Sequence, residues 1–245
     1  MRHQYPLPNL GYEKPLIPTK YDFAQAGKNG TLIVAVLDES GSMSPVQNQT
    51  ISAFNEFVLG QRNASKDAGR AFMTLMKFDA PAIKTVYENM PIEEAPMLDQ
   101  YTYAPRGGTN LLDAVGHALA KAQNALSAKP LGDRPGVIFL IMTDGEENQS
   151  FQFTSDEIKK MVKSAESSDW TFTFLGANID AFAAGAKLGM GQYNTLQYNV
   201  NNIGATMSAV SSTVAATRIS KMAGESTNAL YSRGLYTDQQ REQVK

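Results

Sequence analysis

The sequence predicts a doubly wound α/β fold: a mostly parallel central sheet with one antiparallel edge strand and helices on both faces. Three observations predict it. The chain has 245 residues, 42% hydrophobic and 19% charged, enough to bury the core of one α/β domain. Short, nearly continuous apolar runs, TLIVAVLD at 31–38 and VIFLIMT at 137–143, have the β-branched character of strands covered on both faces. Segments with helical apolar spacing stand between such runs, and that alternation implies right-handed crossovers and parallel pairing.

The elements follow in order. The run at 31–38 is the central strand. Behind it, Ser44-Pro45-Val46-Gln47 reads as an N-cap, a proline at the first helical position and a capping-box glutamine, with Val46, Ile51, Phe54, Phe57 and Val58 lining one helical face. Strands are expected at 70–79 and, as an edge strand just after Pro81, at 82–88. A helix at 110–128, a strand at 137–143 and a helix at 155–168 come next, the last with a cap-like start at Ser155. The final repeat is a strand at 170–175, a helix at 179–188, a short strand near 195–198 and a long helix at 202–222. Small residues along that last helix, Ala205, Ser208, Ala209, Ser211, Ser212, Ala215 and Ala216, permit close packing and a sliding movement.

Charge and proline divide the chain. Residues 1–30 and 218–245 each carry a net charge of +2, so with −2 overall the middle carries −6. Four of the eleven prolines, Pro6, Pro8, Pro15 and Pro18, fall near the start, where locked φ angles favour extended chain. The expected organisation is an extended arm at 1–28, whose Tyr5, Tyr12, Tyr21 and Phe23 can dock on the domain or a neighbour, a domain at 29–222, and a tail at 223–245 with room for a short helix.

Several function classes recede. A net charge of −2 gives no electrostatic reason to expect a nucleic-acid or anionic-membrane partner. The longest apolar runs are six residues, against roughly 20 for a membrane-crossing helix. No apolar signal region is visible at the start, and with no cysteine there is no disulfide or thiolate site, which fits a cytoplasmic protein, a virion component being the variant of that expectation. Gly27-Lys28 lacks the glycine a phosphate-binding loop needs five residues earlier, where Asp22 stands. Gly185, Gly189 and Gly191 follow a helix rather than open one after a strand, so they mark a helix end and turn. His3 and His117 sit in no Ser/His/Asp arrangement, and no enzyme is expected.

In doubly wound sheets ligands bind at the carboxyl ends of the strands, beside the point where strand order reverses. Three segments reach that edge: Asp38-Glu39-Ser40-Gly41-Ser42-Met43, Arg106-Gly107-Gly108-Thr109-Asn110 and Thr143-Asp144-Gly145-Glu146-Glu147. Asp38, Ser40 and Ser42 alternate, so a locally extended turn points them to one side, and Gly41, Gly107 and Gly145 allow tight bends. The side chains offer only oxygen, the preference of a hard divalent cation such as Mg²⁺, with Mn²⁺ or Ca²⁺ as alternatives. Asp113 is read as a helix N-terminal charge, Asp79 as the start of a turn, and Glu146 and Glu147 as a solvated acidic rim.

Asp38-x-Ser40-x-Ser42, Thr109 after two glycines, and Asp144-Gly145 resemble the five-residue metal-ion-dependent adhesion site of the von Willebrand factor type A family, over roughly residues 30–200. The resemblance implies a Rossmann-like fold, with Ser40, Ser42 and Thr109 as hydroxyl ligands, Asp38 and Asp144 acting directly or through water, and an open position filled by a partner's Asp or Glu. It favours a metal-dependent protein-binding module of bacterial or phage type, whose partner is an AAA-type ATPase or further copies of the chain. Two other readings compete: an assembly protein engaging neighbours through its terminal arms, and a Mg²⁺-dependent hydrolase with water activated by Asp38 or Asp144.

Overall fold

A computed structural model describes residues 14–18, 27–80, 82–127, 129–177 and 180–245. Six strands form one sheet: β1 (Thr31–Asp38), β2 (Ala71–Phe78), β3 (Ile83–Pro91), β4 (Gly136–Thr143), β5 (Thr171–Ala177) and β6 (Thr195–Tyr198), in the order β3-β2-β1-β4-β5-β6. All neighbours pair in parallel except β2 and β3, which are antiparallel. The order reverses between β1 and β4, so Asp38 and Thr143 end adjacent strands at the switch point, the position at which doubly wound sheets bind ligands.

Every residue of β1 is buried, because the strand is covered on both faces. Ile33, Ala35 and Leu37 pack under helices α1 (Gln47–Ala64) and α5 (Ile203–Met222), against Phe54, Phe57, Val210 and Val214. Leu32, Val34 and Val36 face the opposite layer: α2 (Leu111–Ser127), α3 (Ser155–Glu166) and α4 (Ala181–Lys187), with Val115, Leu119, Ile158 and Val162. The period-2 alternation thus splits one apolar run between two cores.

The expected start of α1 at Ser44 is corrected. Residues Gly41–Val46 form a 3₁₀ turn with Met43 buried, and α1 begins at Gln47 without a side-chain cap. The backbone there is already committed: Gly41 N donates to Gly107 O and Met43 N to Ser40 O, which winds the chain tightly beneath the strand exits. At α3 the cap is Thr154, whose hydroxyl accepts from Glu157 N in a reciprocal capping box, one residue before the expected Ser155. The edge strand β3 runs further than expected, to Pro91, through irregular pairing around Met73, Leu75 and Met76, with Asn89 at φ 52°.

Both sheet edges are covered. Leu16 N and Ile17 N donate to Thr85 O and Val86 O along β3, and Ile17 packs on the α1/α5 core. The four arm aromatics Tyr5, Tyr12, Tyr21 and Phe23 lie outside the described residues. At the other edge, residues 223–245 form α6 (Thr227–Ser232) and α7 (Asp238–Gln243). Arg241 Nη1 donates to Thr195 O, Asn199 N to Val244 O, and Tyr236 and Val244 are buried against the sheet. Covering an edge this way removes a template for pairing with other chains.

Helix α5 lies close on α1: a Cβ on Gly60 would come within 2.2 Å of Ser211 Oγ. The small residues do permit that approach, but polar bonds oppose sliding, with Gln61 Nε2 on Ser211 O and the wholly buried Arg218 guanidinium on Gln61, Ser65 and Gly69.

Deleting residues 238–245 uncovers β6 and removes the buried Val244 and the Arg241 bond, a loss of about 2–4 kcal/mol from apolar burial and hydrogen bonding. Denaturant unfolding checks this, with light scattering expected to report association through the bared edge.

Candidate metal centre

The site forms where β1 and β4 end. Asp38 is wholly buried, and both its oxygens are engaged: Oδ1 accepts from Ser40 N at 2.7 Å and Oδ2 from the Thr143 hydroxyl. The first bond folds the chain back on itself as a local side-chain turn, which brings Ser40 and Ser42 side by side with their hydroxyls 3.0 Å apart. Ser42 Oγ donates to Asp144 Oδ1 at 2.7 Å, tying the β1 exit to the β4 exit.

Thr109 arrives from the loop before α2. That loop is pinned by an isolated bridge between Ala80 and Gly108, and by Gly107, whose φ of +68° and approach to Ala80 O (a Cβ would lie 2.2 Å away) require glycine. Asn148 clasps Thr109 from the other side, Oδ1 accepting from Thr109 N while Asn148 N and Gln149 N donate to Thr109 O. Gly145 sits at the centre. A Cβ there would lie 2.8 Å from Thr109 Oγ1, 3.5 Å from Ser42 Oγ and 3.7 Å from Asp38 Oδ2. The five residues singled out from the sequence are therefore brought together, around a space that a glycine leaves open.

The donor chemistry is two carboxylates and three hydroxyls, which fits a hard divalent cation and not a soft one. Among the described residues no group of three or more His, Cys, Asp or Glu converges, so hydroxyls must supply what carboxylates do not. Asp38, Ser40, Thr109 and Asp144 are buried and Ser42 is exposed, leaving one face toward solvent. Burial pushes the Asp38 carboxyl up to about 6, against the opposing hydrogen bonds from Thr143 and Ser40, and the neighbouring Asp144 charge pushes the same way. Asp144 is also raised, by burial first, with the Ser42 hydroxyl opposing. Two poorly solvated carboxylates, one raised in part by the other's charge, are a site in want of positive charge.

A second ring of residues holds the first, and most of it was not anticipated. The Tyr103 hydroxyl donates to Asp38 O at 2.7 Å. Glu39 turns away from the site into a buried ion pair with Lys77 (2.5 Å), and also accepts from Ala104 N, while Lys77 bonds Thr102 O. A lysine inside the buried strand AFMTLMKF was the available signal, since such a charge needs a partner. Asp79 begins its turn as expected, accepting from Ala82 N, and in addition pairs with Arg106 at 2.7 Å.

One expectation is extended and another corrected. Asp113 lies in the first turn of α2 as expected, and it is also a buried clamp on the loop after β4, accepting from the backbone N–H groups of Phe151, Gln152 and Phe153. Glu147 is not a solvated rim charge: it accepts from Leu112 N, Gln149 N, Ser150 N and the Ser150 hydroxyl. Glu146 is exposed. His117 bonds Gln152 and meets Phe153 edge-on, a packing role.

Comparison with solved structures returns the same fold at low sequence identity. Proximal thread matrix protein 1 from the mussel byssus, solved with a zinc-occupied metal-ion-dependent adhesion motif, is 14% identical at a TM-score of 0.55. The match covers 74% of this chain and 46% of that one. The von Willebrand factor domain of a type V pili tip protein from Porphyromonas gingivalis is 12% identical at 0.54, covering 76% and 95%. The pilus adhesin SpaC from Lactobacillus rhamnosus GG is 13% identical at 0.56, covering 76% and 30%. The chain therefore spans under half of the byssus protein and under a third of that adhesin. A search of curated protein sequences finds no match. The family model of the von Willebrand factor type A domain matches residues 33–231, most of the chain, and with the sheet order and strand-exit geometry above this chain belongs to that family.

Proposed function

We propose that this chain is a cation-dependent protein-binding module in which Asp38, Ser40, Ser42, Thr109 and Asp144 hold Mg²⁺ and a carboxylate of the partner protein completes its shell. The convergence of five oxygen-bearing side chains on the space beside Gly145, with Ser42 exposed, carries the reading. With the three neutral hydroxyls as direct ligands and the two carboxylates acting through water, the ion's charge is incompletely offset by the groups touching it, so an acidic ligand from outside is favoured. When bound, the cation supplies a point of high positive charge. The chain's own residues orient the donors: Thr143 and Ser40 N fix Asp38, and Asn148 fixes Thr109.

The surroundings support a protein partner. Tyr101 and Phe151 are 85% and 84% exposed on the two loops that frame the site. Neither loop is slack: Asp99 accepts from Tyr101 N and Thr102 N, and Asp113 accepts from Phe151 N. Aromatic side chains presented on ordered loops are characteristic anchors of protein interfaces. That solved structures of the same fold include a pilus tip protein and a pilus adhesin is consistent with this use.

Calorimetric titration with Mg²⁺, Mn²⁺ and Ca²⁺ is expected to show one cation site in the wild type and none in Asp144→Ala. Unchanged binding in that variant, or none in the wild type, would overturn the assignment. Affinity capture in Mg²⁺, in EDTA and with Asp144→Ala then tests the partner: a metal-bridged complex forms only with wild type in Mg²⁺. Tyr101→Ala and Phe151→Ala should weaken capture, by about fivefold or more for a residue worth above about 1 kcal/mol, while leaving cation affinity unchanged.

The buried Asp38 charge also sets a pH dependence. Its folded pKa lies above the ordinary value, so its contribution to metal-free stability is present below about pH 4 and is lost as pH rises through about 6. Asp38→Asn keeps an acceptor for Ser40 N and can donate to Thr143, so the metal-free variant should exceed wild type at pH 7.5 by up to about 3 kcal/mol. The two should converge near pH 4, and Mg²⁺ should raise the melting temperature of wild type alone. Wild type proving the more stable at pH 7.5 without metal would refute this.

A further inference from the structure

At the end of the sheet opposite Asp38 and Asp144 lies a second charged site. The amino ends of β1 and β4 and the carboxyl ends of α2 and α5 enclose a cavity of about 210 Å³. Four cationic side chains line it, Lys28, Arg134, Arg218 and Lys221, against one carboxylate, Asp169. We propose that this cavity binds a small oxyanion of the phosphate class.

Asp169 cannot neutralise the group. Its Oδ2 is held by Lys221 at 2.8 Å and its Oδ1 accepts from Thr227 N, and Lys221 further donates to Asp169 O and the Thr227 hydroxyl. Arg218 is wholly buried, yet its terminal nitrogens bond only neutral acceptors: Gln61 O and Oε1, Ser65 Oγ and Gly69 O. Among the described residues its Nε has no hydrogen-bond partner. Burial lowers the guanidinium to about 10, so it remains charged at neutral pH. Among the described residues no carboxylate pairs with Lys28, Arg134 or Arg218. The Glu93 charge acts on Arg218 without pairing directly with it, and a buried cation lacking a direct ion-pair partner and one hydrogen bond is costly unless something supplies them.

The helix ends do not account for this charge. The carboxyl ends of α2, α3 and α5 gather here, each equivalent to about −0.5, or about −1.5 together, while the side chains carry a net of three positive charges. A positive balance survives. The cavity lies below the roughly 300–1,000 Å³ of sites for drug-sized ligands, which favours a compact ion over an extended molecule.

The test uses the full chain in EDTA, so that the strand-exit site is out of play. Inorganic phosphate and glycerol phosphate are titrated calorimetrically and by thermal unfolding, against chloride at matched ionic strength. Either one raising the melting temperature beyond chloride supports the site, and the tighter of the two tells free ion from monoester. The double variant Lys28→Gln/Arg134→Gln, at exposed and half-buried positions, should bind about tenfold more weakly or worse, as loss of charge-assisted bonds dictates. Asp144→Ala should bind phosphate like wild type, even if the metal assignment fails. No shift beyond chloride, a shift retained in the double variant, or one lost in Asp144→Ala would each overturn the proposal.

Discussion

The structure is organised around the burial of one carboxylate. Asp38 ends the central strand with no exposed surface, in a place where an ionised group pays several kcal/mol for lost hydration unless its neighbours replace water. The replacement is partial. Thr143 and Ser40 N satisfy its two oxygens and Tyr103 its carbonyl, but among the described residues no cation pairs with it, Lys77 being taken by Glu39 next door. Its raised pKa is the residue of that deficit.

The same economy governs the loops. Three carboxylates near the site never face it and act instead as acceptors for backbone N–H groups: Asp113 for the loop after β4, Glu147 for the same loop and the start of α2, and Asp99 for the turn bearing Tyr101. Charge-assisted bonds of this kind order a loop without regular secondary structure. Oxygen donors must hold their geometry for a cation to gain from them, and this scaffold supplies that order.

Electrostatics differ between the two ends of the sheet. Acidic and hydroxyl groups collect where the strands finish, and basic ones where β1 and β4 start. Since α5 runs along one layer with Arg218 near its end, held to α1 by hydrogen bonds, the basic end is bound rigidly into the core. Residues 14–18 and 223–245 close the lateral edges, which leaves the strand ends as the exposed faces.

Much of this was legible in the residues. TLIVAVLD was legible as a strand buried on both sides, because its short length and β-branched residues favour a strand over a buried helix and a half-exposed strand would alternate, and its place beside the other apolar strands follows from the crossover rule. Asp38, Ser40, Ser42, Thr109 and Asp144 were legible too, since short oxygen-bearing side chains at glycine-punctuated strand exits share one edge of such a sheet. The roles of Lys77, Tyr103, Asp113, Glu147 and Arg218 were not, because each depends on a partner 25 or more residues away. Local pattern determines which face a residue takes and where a strand ends. Which acceptor a buried charge finds depends on how the layers close, and only the tertiary structure decides that.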